Sequence, residues 1–347
     1  MKIGKKNIDK ESPAFIIAEL SANHNGSIQV AIETIKAAKK AGADCVKFQT
    51  YTADTITLDH KSDYFKITQG TVWDGNYLYD LYKKAYTPWE WHEQLFKVCT
   101  DEGLEFFSSP FDFTAVDFLE TLNVPAYKIA SFEITDIPLI EFVASKMKPI
   151  ILSTGVANFE DIKLAVDTCR EVGNEDIALL KCTSSYPAPL DEANMMMIKD
   201  LSDKFNVISG LSDHTMGFIA PITSVVLGGK IIEKHFILDK SIGGPDASFS
   251  MDPQEFKAMV DSVRDAEASL GSIDYNLTEK QLKGREFSRS LFAVENIEAG
   301  EIITNKNIRS IRPGHGLHPK YLKKIIGLKI KKKISRGTPL DLSYIDT

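Results

Sequence analysis

No run in this chain is long and apolar enough to span a bilayer. The opening stretch MKIGKKNIDKESPAF lacks the apolar core of a secretory leader. A cytoplasmic protein with no membrane partner is the expectation. Cysteine is scarce: Cys45, Cys99, Cys169 and Cys182 are the only four in 347 residues. Their spacing matches no metal motif and each falls in a strand or helix pattern, so reduced and mostly buried thiols are expected. An excess of positive charge is missing too. The net charge of −7 argues against nucleic acid as the main partner.

What is present supports a substantial core, with 43% apolar residues. The length suggests one large domain and a smaller one. Charge is uneven along the chain: from Lys280 onward there are 15 Lys and Arg against 6 Asp and Glu, and before it 26 against 42. This reads as a solvated basic surface or as a basic tail that docks on an acidic body.

Eight short apolar stretches each finish in a polar cluster. They are Phe15–Leu20, Cys45–Gln49, Leu104–Ser108, Ala126–Ile129, Pro149–Ser153, Ile177–Cys182, Val207–Ser212 and Ile231–His235. Parallel strands that open into one shared mouth explain polar residues at one end only. Eight such strands alternating with helices predict an α/β fold, a (β/α)8 TIM barrel with its site at the C-terminal ends of the strands.

Helix signals fill the gaps. Ser27 caps an apolar stripe that stops near Gly42. Thr87-Pro88-Trp89-Glu90 and Asp252-Pro253-Gln254-Glu255 both have capping-box spacing with Pro at the first helical position. Residues 50–86 form an unusually long connection carrying Tyr64, Trp73, Tyr77 and Tyr79, suited to covering an organic substrate or to a surface excursion with small helices of its own. Gly271–Glu286 is polar and reads as a linker. The tail after it, with short Val and Ile segments and Gly and Pro turns, reads as a small loop-rich β module.

His214 and His235 end the last two strands, close enough for both imidazoles to reach one cation with positions left open for substrate oxygen and water. Asp213 is a candidate third ligand or a support for the ligands. Lys47 and Lys128 end strands two and four, and Ser131, Ser153, Ser184 and Ser212 lie at further ends. Two ammonium groups and several hydroxyls suit a phosphate or carboxylate; either lysine is equally placed for a Schiff base. Glu19, Glu133 and Asp246 are candidate acid/base or hydroxyl-binding groups, and Tyr186 can stack on a sugar. His24, in Asn23-His24-Asn25-Gly26, is read as stabilising a turn.

Taken together, these motifs resemble the sialic acid synthase family over nearly the whole chain. The resemblance is carried by Ala18-Glu19 with Asn23-His24-Asn25-Gly26, Val46-Lys47-Phe48-Gln49, Tyr127-Lys128-Ile129-Ala130-Ser131 and Leu152-Ser153-Thr154-Gly155. It continues through Ser212-Asp213-His214, Glu233-Lys234-His235-Phe236 and Gly244-Pro245-Asp246. Ser288-Arg289-Ser290 with Arg312-Pro313-Gly314-His315-Gly316 looks like the antifreeze-like (SAF) domain of these enzymes. The implied layout is a barrel over 1–270, a linker over 271–287 and an antifreeze-like domain over 288–347.

The resemblance implies condensation of phosphoenolpyruvate with an N-acylated hexose to a nine-carbon 2-keto acid, assisted by a divalent cation (manganese, magnesium or cobalt) on His214 and His235. Within the family the chain is most similar to the pseudaminic acid synthases, by Thr87–His92, Ser184–Pro189 and Gly243–Met251. Synthases acting on N-acetylmannosamine typically carry Asn where this chain has Ser184. The implied acceptor is an N-acylated deoxyhexose, 2,4-diacetamido-2,4,6-trideoxy-L-altrose. By the same resemblance Lys47, Lys128 and the four serines hold phosphoenolpyruvate. Glu19, Gln49, Tyr186, Asp246 and Arg312 position the sugar, and the metal or a carboxylate such as Glu133 directs water. A domain-swapped homodimer, in which Arg312 completes the partner's barrel, is implied as well. The alternatives are an N-acetylneuraminate or legionaminic acid synthase, a Schiff-base aldolase, and a non-catalytic sugar-binding protein.

Overall fold

The computed structural model describes residues 1–346. It divides into two units, Met1–Gly271 and a second that begins at Ser272. In the first, β1 (Phe15–Glu19), β2 (Cys45–Thr50), β3 (Glu105–Pro110), β4 (Tyr127–Ile129), β5 (Ile150–Ser153), β6 (Ile177–Cys182), β7 (Ile208–Asp213) and β8 (Ile231–His235) run parallel and close into a barrel, β8 pairing with both β7 and β1. All eight expected strands are present, with ends shifted by no more than two residues.

The outer helices bury one stripe each against the sheet. They are α1 (Ile28–Lys40), α2 (His92–Asp101), α3 (Phe113–Thr121), α4 (Ile137–Ala144), α5 (Phe159–Glu171), α6 (Met197–Phe205), α7 (Ile219–Val226) and α8 (Pro253–Leu270). Ser27 caps α1, and the Asp252–Glu255 capping box forms at α8 with Pro253 in its first turn. The expected box at Thr87 does not form. Pro88 precedes a single 3-10 turn over Trp89–Trp91 before α2 begins, and the Thr87 hydroxyl pairs instead with His24 Nε2 at 3.3 Å. A distant imidazole competes there with the local backbone.

Alternation along the strands sorts the core into two layers. Ile16, Ala18, Val46, Phe48, Phe106 and Leu152 face the helices. Phe15, Ile17, Cys45, Phe107, Ala126, Ile151, Ala178, Leu180 and Ile231 fill the barrel interior. An N-terminal hairpin, Lys2–Ile3 paired with Lys6–Asn7, turns at Gly4 (φ +53°) and adds Ile3 and Ile8 to that interior. Each fully buried isoleucine contributes about 1.5–3 kcal/mol, so the hairpin is a stable floor to the barrel. Gly210 on β7 is required by close approach: a Cβ there would lie 2.3 Å from the Ile231 carbonyl oxygen and 2.8 Å from Leu180.

The strap between β2 and β3 has structure of its own. Helices Ala53–Ile56 and Leu78–Ala85 flank a turn in which the Ile67 N–H donates to Asn76 O and the Gly75 N–H to Ile67 O, both at 2.9 Å. In the second unit, β9 (Ser290–Ala293) and β10 (Ile308–Ile311) pair antiparallel over a core of Leu291, Ile297, Ile303, Ile325, Ile330 and Leu340. The stretch read as a plain linker carries a helix, Glu279–Gly284, with a capping box from Thr278 and Gln281. All four cysteines are free and buried, and no helix among the described residues is long and apolar enough to cross a membrane.

Candidate active site

The inward-facing set changes chemistry as each strand nears its C-terminal end. Phe15 and Ile17 give way to Glu19, Cys45 to Lys47 and Gln49, Ala126 to Lys128, Ile151 to Ser153, Gly210 to Ser212, and Ile231 to Glu233 and His235. Period two therefore places an apolar base under a polar mouth.

At the centre lie two buried ammonium groups and two buried carboxylates. Lys47 Nζ is 2.8 Å from Glu19 Oε2 and 3.7 Å from Glu233 Oε2; Lys128 Nζ is 3.9 Å from Glu233 Oε1. Burial works against the charge on Lys47, but Glu19 and Glu233 outweigh it and hold the ammonium above its ordinary value. Burial likewise disfavours ionised Glu233, yet Lys128 and Lys47 keep that carboxyl low. Lys128 is pulled below the usual lysine value by burial, with the Lys47 charge adding to it. Burial raises the Glu19 carboxyl against the pull of Lys47.

On one side of this centre is a hydroxyl cradle. Lys128 Nζ donates to Ser153 Oγ at 2.7 Å, and the Gly155 N–H donates to Ser131 Oγ at 3.1 Å. A Cβ at Gly155 would lie 2.1 Å from Ser184 Oγ and 2.8 Å from Ser131 Oγ, so glycine is what lets these groups converge. Ser212 Oγ donates to Glu233 Oε1 at 2.9 Å. Beyond the cradle, Glu133 Oε2 is buried without a hydrogen-bond partner, and burial pushes its carboxyl up to about 7 despite Lys128.

A second polar arm runs the other way. Gln49 Nε2 donates to Glu19 Oε1 and to Ser21 Oγ, both at 3.0 Å, and Ser21 donates to Asp246 Oδ2 at 2.6 Å. Ser21 sits at φ +47°, where the chain turns sharply out of β1. Burial raises the Asp246 carboxyl against the bonds from Ser21 and the Ala22 N–H.

His214 and His235 face each other with ring centroids 5.3 Å apart. His214 Nδ1 lies 3.0 Å from the Thr183 carbonyl oxygen, which accepts its proton and leaves Nε2 with a lone pair. His235 Nδ1 is buried without a partner, and burial, reinforced by the charges of Lys47 and Lys234, keeps this imidazole neutral. An orphaned ring nitrogen beside a tautomer-fixed imidazole fits a divalent cation. No third His, Cys, Asp or Glu joins them among the described residues. Asp213, a candidate third ligand from sequence, instead pairs with buried Lys234 at 2.6 Å. Asp213 and Lys234 are register partners on β7 and β8, one step from the residues that face the mouth. Tyr186 lies against His214 at 4.3 Å, and Phe249 against His235 at 5.0 Å.

The structure thus gathers Glu19, Lys47, Gln49, Lys128, Ser131, Ser153, Ser184, Tyr186, Ser212, His214, His235 and Asp246 at one barrel mouth, with Glu133 at its edge. Arg312 lies in the second unit, exposed, directly after β10. Glu233, Ser21 and Phe249 were not singled out in the sequence. Glu233 was within reach, since it stands two residues before His235 on one strand and so shares its face. His24 holds its turn, Nδ1 accepting from the Gly26 N–H at 3.1 Å.

The NeuB family matches residues 34–275 and the SAF domain matches residues 288–345. The chain is 49% identical to the pseudaminic acid synthase of Campylobacter jejuni (strain 81-176), over 98% of each chain. It is 48% identical to that of Helicobacter pylori, over 96% of this chain and 98% of that one. Among solved structures, the spore coat polysaccharide biosynthesis protein SpsE of Bacillus subtilis aligns with a TM-score of 0.68 at 34% identity, covering 100% of this chain and 99% of that one. With a family match over most of its length and relatives of this identity from end to end, the chain belongs to the NeuB family.

Proposed function

We propose that this protein is a pseudaminic acid synthase. It condenses phosphoenolpyruvate with 2,4-diacetamido-2,4,6-trideoxy-L-altrose to give pseudaminic acid and phosphate. The observation that carries the reading is the meeting of two buried ammonium groups with two imidazoles in one barrel mouth. An anionic three-carbon donor and an aldehyde acceptor need those two features side by side. The choice of acceptor rests on the 49% identity to the Campylobacter enzyme.

Lys47 and Lys128 bind the donor's negative charge, and Ser131, Ser153, Ser184 and Ser212 orient its oxygens. Glu19, Gln49, Tyr186 and Asp246 hold the open-chain sugar so that its aldehyde carbon faces carbon 3 of phosphoenolpyruvate. Such positioning is worth roughly 7–11 kcal/mol. His214 and His235 would hold a divalent cation, manganese, magnesium or cobalt, which when bound supplies polarisation of the aldehyde oxygen. As the new carbon–carbon bond forms, carbon 2 becomes electron-poor and water adds to it. Glu133 accepts the water's first proton and returns it to the leaving phosphate as the carbon–oxygen bond breaks, while the second, lost from the hydroxyl on carbon 2 as it becomes the ketone, ends on the former aldehyde oxygen as the new hydroxyl. The reading accords with a cytoplasmic biosynthetic enzyme.

Phosphate release measured with phosphoenolpyruvate and a panel of N-acylated hexoses tests the reading. The trideoxy altrose should win in kcat/KM, and phosphate should retain a heavy-oxygen label from the carbon–oxygen–phosphorus bridge. Preference for N-acetylmannosamine, or loss of the label, would refute it. The same reading makes the enzyme a domain-swapped homodimer with Arg312 reaching the partner's sugar. Exposed Ile273, Tyr275 and Phe287, in the opening stretch of that second unit, support a crossing segment. Mixing inactive Arg312→Ala and Glu19→Ala chains should restore activity; none after confirmed subunit exchange would place Arg312 elsewhere.

A further inference from the structure

The strap between β2 and β3 reaches the mouth through one side chain. Trp73 sits at its tip, and the indole Nε1–H donates to the Pro245 carbonyl oxygen at 3.0 Å, next to Asp246. The ring lies 5.3 Å from Tyr186 and 6.2 Å, edge on, from Phe249. Those two rings in turn rest on His214 and His235. The tip is held in shape by Asp74, which accepts from the Gly70 N–H at 2.9 Å and the Thr71 N–H at 2.8 Å.

Indole has a single polar group, and Pro245 uses it. What Trp73 presents to the mouth is therefore apolar ring, and Phe249, buried, offers nothing else. Asp246, one residue from the Pro245 contact, begins a polar arm in which Ser21, Gln49 and Glu19 are hydrogen-bonded in turn. The mouth thus offers oxygen-binding groups along this arm and aromatic carbon at Trp73 and Phe249. A fully hydroxylated hexose would strand a hydroxyl against the aromatic wall.

We propose that Trp73, with Phe249 behind it, determines acceptor specificity by receiving the deoxygenated end of the sugar, the methyl at carbon 6. This rests on the proposed function, which puts the aldehyde at the imidazole pair. The far end of the open chain then extends past Tyr186 to the strap tip. An apolar wall penalises an added hydroxyl by one to two orders of magnitude, since it offers the hydroxyl no partner while the rest of the sugar binds as before.

The test compares kcat/KM for the trideoxy altrose and for its 6-hydroxy counterpart, 2,4-diacetamido-2,4-dideoxy-L-altrose, in full-length enzyme with its cation. Wild type should favour the trideoxy sugar by about 10- to 100-fold. Trp73→Ala should bring the ratio to within about threefold of one, mainly by losing activity on the trideoxy sugar, and should leave KM for phosphoenolpyruvate within about twofold, as expected of a wall that touches only the acceptor. Trp73→Phe, which keeps an aromatic face, should retain most of the discrimination, and it serves as the measurement if the alanine variant does not fold. A ratio unchanged in Trp73→Ala, a ratio lost equally in Trp73→Phe, or a wild type indifferent to the hydroxyl overturns the inference alone. Wild-type preference for N-acetylmannosamine over both altrose sugars overturns the proposed function and this inference together.

Discussion

Glu233 stands between Lys128 and Lys47, 3.9 Å from the first and 3.7 Å from the second, and among the described residues it is the one carboxylate paired with both. It lies two residues before His235 on β8 and so shares its inward face.

Removing its charge leaves Lys128 buried without a counter-ion. Glu233→Gln should cost the ligand-free protein about 3–5 kcal/mol, the scale of breaking a buried pair from one side. Phosphoenolpyruvate should restore more melting temperature to the variant than it adds to wild type, because its anionic groups replace the missing carboxylate. Thermal melts with and without the donor check this. Equal ligand shifts in both proteins would disprove the compensating role.

Burial pushes the Glu133 carboxyl up to about 7. A general base works only when deprotonated, so kcat should rise as pH climbs through about 7 and be lost below it. Glu133→Gln should lower kcat by about 10²- to 10⁴-fold and remove that limb of the profile. A profile that keeps the limb in the variant assigns the ionisation to another group.

The imidazole pair yields a metal prediction. Chelator should abolish turnover and an added divalent cation should restore it. His214→Ala or His235→Ala should each lower kcat by about 10²- to 10³-fold, the scale of losing an electrophilic contact in the transition state. Full activity in protein shown by elemental analysis to be metal-free would end this assignment.

His24 and His92 are both buried and their pKa values are pushed down to about 4 by that burial. Between their unfolded value of about 6.5 and about 4, the unfolded chain binds protons that the folded chain does not. Stability from this source is complete above about pH 6.5 and is lost as pH falls towards 4, by on the order of a few kcal/mol per histidine. His92 Nε2 is 2.8 Å from Thr50 Oγ1, which Gln can partly mimic. Denaturant melts across this pH range should be flatter for His92→Gln than for wild type; an identical slope would show that other groups dominate.

The barrel was legible because each strand is apolar at its start and polar at its mouth, and because local caps such as Ser27 and Asp252 mark helix starts within a few residues. Histidines at the ends of β7 and β8 and lysines at β2 and β4 followed from the same pattern. Glu233 was passed over because attention to strand ends ignores the residue one period deeper. What could not be read are contacts set by long-range register. Asp213 is drawn away from the imidazoles by Lys234 on the next strand, and Thr87 is taken by His24 in place of its own helix. Trp73 meets Pro245 across 172 residues of sequence, which no local pattern encodes. The left-handed turn at Ser21 that links Gln49 to Asp246 has no glycine to announce it.

Ile3 and Ile8 of the N-terminal hairpin seal the barrel from beneath. The base of the barrel is packed with apolar side chains, and the polar groups stand at the other end, where the strands finish. With substrates entering from that end only, the donor is expected to bind at Lys47 and Lys128 first and the sugar to close over it. Turnover should follow compulsory order, with inhibition by a dead-end acceptor analogue uncompetitive towards phosphoenolpyruvate, and the nine-carbon product must leave before the cradle can be refilled.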